Sequence, residues 1–344
     1  MTMTEALKRR LELVFNWYQG MVNAETGMLE YLYIPETDRF VRENCPIRDI
    51  ASVWDVELLG QFLHRQELHS LITTSLRHFD GYLVERNGYS TLDSSRLGEP
   101  SSIAHSAFMM LARLHAPAPR QTKKIAALAE GILRQQQPDG AYKICFEDFP
   151  DHGEELYSGE AMLALMEAHG PLDDARCLES AERAFAFYDA HYFRCGRVDA
   201  DLLVFFANWQ SQACRLLFKS SARAALKRDA ARYIFGMHDQ IIERGFYRDI
   251  ESYPARHVSV EVACALEGLN DAYSIAHSSR AERYRRCICT GLKYLLELQC
   301  TNAGTEKERG GFGMSLSERA QRIDITGHVA SAFMKSMRNG IDCG

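Results

Sequence analysis

Arg322-Ile323-Asp324-Ile325-Thr326-Gly327-His328-Val329-Ala330-Ser331-Ala332-Phe333 reads as a helix of small and apolar residues with one carboxylate in its first turn. Gly310-Gly311-Phe312 and a polar loop stand ahead of it. A helix that is apolar nearly all round must be enclosed by protein. A carboxylate enters such a helix at a cost, because its charge has to be paired, hydrated or neutralised by protonation. Asp324 is therefore either a satisfied structural acid or a working one.

Five other segments share this character, near 47–65, 100–115, 155–168, 201–218 and 257–277, each rich in Ala, Ser, Gly or Cys. Between them fall amphipathic, charged segments near 4–22, 68–86, 120–137, 173–192, 220–243 and 279–299. Apolar residues recur at helical spacing almost throughout, and β-branched runs are few. Six buried helices alternating with six half-exposed ones predict an all-α chain, 1–344 as a single (α/α)6 barrel domain with six inner and six outer helices. Links from inner to outer helices are short, as at His169-Gly170-Pro171, whereas the return links are long, as from Pro138 to Gly153 and from Cys300 to Arg322. Long connections carry function more often than short ones, so the working end is expected where the inner helices begin.

The net charge of -6 argues against a nucleic-acid partner, which needs a concentrated basic surface. Met1-Thr2-Met3-Thr4-Glu5-Ala6 has no apolar run after a basic segment, so no secretory signal is expected, and no window is apolar enough to span a membrane. The ten cysteines are scattered through helical patterns, with Cys287-Ile288-Cys289 the closest pair. That spacing suits neither a zinc site nor a disulfide framework, and it predicts reduced thiols and a cytoplasmic address.

Two stretches repeat one design. Gln135-Gln136-Gln137 is followed by Gly140 and Tyr142, and Gln299 by Gly310-Gly311-Phe312. Glutamine can bond the backbone of the turn while the ring packs on a neighbouring helix, which predicts a structural clamp. The pattern resembles the glutamine-to-tryptophan repeats of class II terpene cyclases of the squalene-hopene cyclase type. There a Gly-Gly-aromatic turn precedes the acidic motif Asp-x-Asp-Asp-Thr-Ala, and Asp324, Thr326 and Gly327 match its central acid and the two residues after it. Arg322 and Ile325 replace the outer two aspartates. With one barrel, the chain is most similar to single-domain meroterpenoid cyclases that close prenylated aromatic acids.

The resemblance implies acid-initiated cyclisation of a polyprenyl chain, with Asp324 protonating an alkene, His328 orienting or recharging it, and no metal or cofactor. It also implies a hydrophobic small-molecule substrate, contact with a membrane surface, and a cavity lined by Trp54, Phe108, Tyr157, Phe205, Trp209 and Phe312, since π faces attract carbocations. The competing reading is a carbohydrate-active enzyme: a glycoside hydrolase, polysaccharide lyase or sugar epimerase. Acids at the starts of inner helices, Asp55, Glu160, Asp201 and Glu261, would serve it. A third reading is an interaction module with a filled centre.

Overall fold

The computed structural model describes residues 2–42, 45–117, 121–302 and 305–344. Arg120, at the expected start of one outer helix, and Ala303 and Gly304, in the long link before the last inner helix, lie outside them. The helices read as buried are α2 (Pro46–Leu63), α5 (Ile103–His115), α7 (Glu154–Leu172), α9 (Leu203–Ser220), α12 (Ser259–Tyr273) and α14 (Ile323–Arg338). Those read as half-exposed are α1 (Met3–Gly20), α3 (His69–Asp80), α6 (Thr122–Gln135), α8 (Ala175–Phe187), α10 (Ala224–Glu243) and α13 (Ser278–Leu298). Two short helices, α4 (Ser94–Leu97) and α11 (Phe246–Ser252), add to these. Among the described residues, no helix is long and apolar enough to cross a membrane.

Three local expectations need correction. The segment 68–86 is helical as far as Asp80, and then β3 (Leu83–Arg86) pairs antiparallel with β4 (Tyr89–Leu92). Asn87 and Gly88 turn the hairpin with φ of 46° and 86°, the backbone a two-residue primed turn demands. Helix α7 runs through Pro171 to Leu172, so the link to α8 is Asp173-Asp174, with Asp173 left-handed at φ 51°. Cys289 and Cys343 form a disulfide, against the reading of ten reduced thiols, and the other eight cysteines are free. A sequence separation of 54 carried no sign of that pairing.

The chain divides into two compact units, Met1–Ser75 with Gln240–Gly344, and Leu76–Asp239. In the second unit α7 packs on both α5 and α9. Gly159 is the point of closest approach: a Cβ there would lie 2.8 Å from the carbonyl carbon of Trp209. Gly159→Ala is expected to cost about 2 kcal/mol through overpacking. A thermal melt of this variant matching the parent would show that the two helices can part freely.

In the first unit α14 packs on α2, α12 and α1. A small sheet fastens its start: β1 (Leu32–Ile34) pairs with β2 (Arg39–Val41) on one side and with β5 (Gln321–Arg322) on the other. Such short strands leave no period-2 signal to read. The clamps are as expected. Gln299 donates to the carbonyls of Gly310 and Arg10 at 2.9 and 3.0 Å, and Gln136 to those of Gly140 and Ser180 at 3.1 and 2.8 Å. Phe312 is fully buried, edge-on to Phe333 at 5.8 Å.

Candidate active site

The first unit gathers charge on three helices that are otherwise apolar. α14 begins where β5 ends, and its first turn holds Asp324, which is 7% exposed. Nε and Nη2 of Arg322 donate to both oxygens of this carboxylate at 2.8 and 2.7 Å. Arg48, in the first turn of α2, adds its Nε at 3.3 Å. Both guanidiniums lie over the ring of Tyr31, 6.0 and 5.9 Å from its centroid, and Arg48 Nη1 donates to the Tyr31 hydroxyl at 2.6 Å. Pairing of Leu32 with Arg322 brings Tyr31 here, and the Ile323 amide donates to the Tyr31 carbonyl at 3.2 Å. Burial alone would lift the Asp324 carboxyl, but Arg322, Arg48 and His328 hold it below the usual value, so it stays ionised.

One turn further along α14, His328 Nδ1 donates to Glu267 Oε2 of α12 at 2.7 Å. Burial would lower the imidazole pKa, yet Cys264 and Glu267 raise it well above the ordinary value, so His328 is an imidazolium at neutral pH. Donor atoms of Cys264, Glu267 and His328 lie within 4.8 Å of one another, close enough for a metal ion. Two of the three are spent on each other, and the trio reads as an ion-paired imidazolium with a thiol beside it. Below it, Lys335 Nζ pairs with Asp271 Oδ2 at 2.7 Å.

Asp55 completes the group. Its carboxylate packs against the backbone of Gly327, the residue before His328, so closely that a Cβ on Gly327 would overlap it. It is partly accessible, and among the described residues nothing hydrogen-bonds or ion-pairs with it. Burial first, then the charges of Glu267 and Asp324, push its carboxyl up to about 7, with His328 and Lys335 opposing. Asp49, six residues before Asp55 on the same helix, is also pushed up to about 7 by burial and Asp324.

The structure thus brings together Asp55, Asp324 and His328 from the residues picked out in the sequence. Trp54, next to Asp55 in the chain, is buried on α2, and Phe312 is core. Glu261, in the first turn of α12, faces His257 Nδ1 at 3.4 Å. In the second unit Phe108 and Trp209 form a T-shaped pair at 5.6 Å, Glu160 is buried on α7, Tyr157 sits edge-on to His152 at 6.0 Å, and Phe205 is half-buried. Asp201 is exposed, and its backbone amide donates to Asp199 Oδ1 at 2.9 Å. Sequence reasoning does not single out Tyr31, Arg48, Asp271 or Lys335. Charged residues inside apolar helices were the available signal for the last three, and Tyr31 offered none.

No known family profile and no curated protein matches the chain. Solved structures do. The chain is similar to a D-mannose isomerase with a TM-score of 0.70 at 10% identity, covering 96% of this chain and 97% of that one. A glycoside hydrolase family 76 mannosidase from Bacteroides thetaiotaomicron matches with a TM-score of 0.66 at 9% identity, covering 98% and 99%. An unsaturated glucuronyl hydrolase specific for heparin matches with a TM-score of 0.61 at 11% identity, again covering 98% and 99%. The fold is an (α/α)6 barrel.

These findings overturn the terpene-cyclase reading and, with it, the isoprenoid chemistry, the hydrophobic substrate and the expected membrane contact. The physical reason lies in Asp324. Protonating an alkene needs a carboxyl that is neutral at working pH. Arg322, which departs from the cyclase motif, and Arg48 keep this one charged. The glutamine clamps that carried the resemblance are backbone staples, which a helical barrel of any function can use.

Proposed function

We propose that the chain is a carbohydrate-active enzyme that moves a proton on the carbon skeleton of a sugar, as an isomerase or epimerase does. Asp55 is the base and the His328 imidazolium is the acid. The observation that carries this reading is Asp55 itself, a carboxyl without a partner, deep among charged groups and poised near neutrality. Taking a proton from a carbon beside a carbonyl calls for a base with a pKa near working pH, while a nearby acid steadies the charge that develops on oxygen. Glu267 keeps the acid charged and fixes its ring. Likeness to a D-mannose isomerase supports the reading at the level of fold.

The test is incubation with aldoses, ketoses and uronates in deuterated water, followed by NMR. Deuterium entering the carbon next to the carbonyl, with formation of an isomer, supports the proposal; no exchange with any sugar ends it. A second reading, glycoside hydrolysis, draws on the opposite shifts of two carboxyls, Asp55 upward and Asp324 downward. It is the weaker one because both Asp324 oxygens are held by Arg322 and are badly placed to activate water. Release of reducing sugar from a mannan or from an unsaturated glucuronide would favour it.

A further inference from the structure

We infer that the sugar accepted here carries an anionic group, a carboxylate or a phosphate, which docks on the guanidinium of Arg48. The inference rests on the sugar-enzyme reading above and specifies its substrate. Two guanidiniums, Arg48 and Arg322, face one carboxylate, Asp324, and Asp49, whose carboxyl is pushed up to about 7, is the other acid here, so one positive charge of this cluster is left over while Asp49 keeps its proton. Arg322 is committed: it grips both oxygens of Asp324, and its side chain is 18% exposed. Arg48 is different. Its Nε and Nη1 are held by Asp324 and by the Tyr31 hydroxyl, its Nη2 makes no hydrogen bond among the described residues, and its side chain is 44% exposed.

A guanidinium fixed at Nε and Nη1, with Nη2 between them left to donate, is preorganised to grip an oxyanion, since little side-chain freedom remains to be lost on binding. The Tyr31 ring, 6.0 Å from it, adds a cation–π attraction. Position supports the same conclusion. Asp324, which Arg48 touches, and His328 are four residues apart on one helix face, so about one turn, 5.4 Å, separates them. An open-chain hexose, the form that has a carbonyl, reaches over a comparable length from that carbonyl to its sixth carbon. A sugar with its reacting carbon between Asp55 and His328 would present its sixth carbon to Arg48, and on a hexuronate or a hexose 6-phosphate the charge sits there.

Calorimetric titration of the full chain with D-glucuronate, D-mannuronate, the matching hexose 6-phosphates, and glucose and mannose tests this. A charge-assisted contact predicts that one charged series binds about tenfold or more tightly than the neutral hexoses. Arg48→Gln should bring that ratio close to one, and Arg48→Lys, which keeps the charge against Asp324 and covers the case that the glutamine variant does not fold, should retain part of it. Which charged series binds better identifies the group as carboxylate or phosphate. Neutral hexoses bound as tightly as both charged series, or a preference that survives in both variants, overturns the inference and leaves the sugar reading standing. If none of the sugars binds, the sugar reading itself falls.

Discussion

Asp55→Asn is expected to lower turnover on the sugar substrate by about a thousandfold, the usual scale for losing a general base. Binding should persist, because asparagine keeps the shape and the partial access of the site. In the parent, activity should climb as pH rises through about 7, where Asp55 gives up its proton. Stability should move the other way. The carboxyl titrates near 7 when folded and near 3.8 when not, so the folded state holds its proton more firmly. The resulting stability is present in full below the lower value and is lost as pH rises through 7. Ionised Asp55 thus weakens the fold at pH 8, and the asparagine variant should be more stable there by on the order of 2 kcal/mol after allowance for solvent screening. The gap should close toward pH 4. Chemical denaturation at both pH values, beside the activity profile, checks the pair of effects. An active variant, or one destabilised at pH 8, would remove Asp55 from its role.

Glu267→Gln attacks the acid instead of the base. Glu267 and Cys264 hold the His328 pKa up against a burial that lowers it. Without the carboxylate, burial wins more of that contest and His328 becomes neutral in the working range. Turnover should fall by about a hundredfold, and the alkaline limit of activity should move to lower pH. A group whose pKa is raised by folding adds stability that is full below its unfolded value and vanishes as pH rises through the folded one. The parent should therefore exceed Glu267→Gln in stability most clearly near pH 6, by about 3 kcal/mol for one partner lost from a buried pair, with the margin shrinking on the alkaline side. Following the His328 ring by NMR titration separates this from plain destabilisation. A His328 that titrates at the same pH with and without Glu267 refutes the assignment.

Both predictions involve residues whose helices were legible in the chain and whose partnerships were not. All six buried helices stand within a few residues of where their apolar, small-residue composition put them, because burial on every side leaves no polar face and that absence is written locally. The glutamine clamps were legible for a similar reason: donor, turn and ring lie within a dozen or so residues. The Asn87-Gly88 hairpin was legible too, but the helical spacing of the residues before it masked the turn.

Asp55, Asp324 and His328 could be picked out as candidates, since each is a titratable group on an apolar helix. What each one does could not be read, because a pKa depends on which charges stand within a few ångströms. Asp324 is ionised because Arg48, 276 positions earlier, reaches it together with Arg322. His328 is cationic because α12 sets Glu267 against it. Local sequence determined that these side chains would be buried in helices of an (α/α)6 barrel. The tertiary structure alone decided which carboxylate would be held charged and which left free to take a proton, for charge pairing acts through space and leaves no local pattern along the chain.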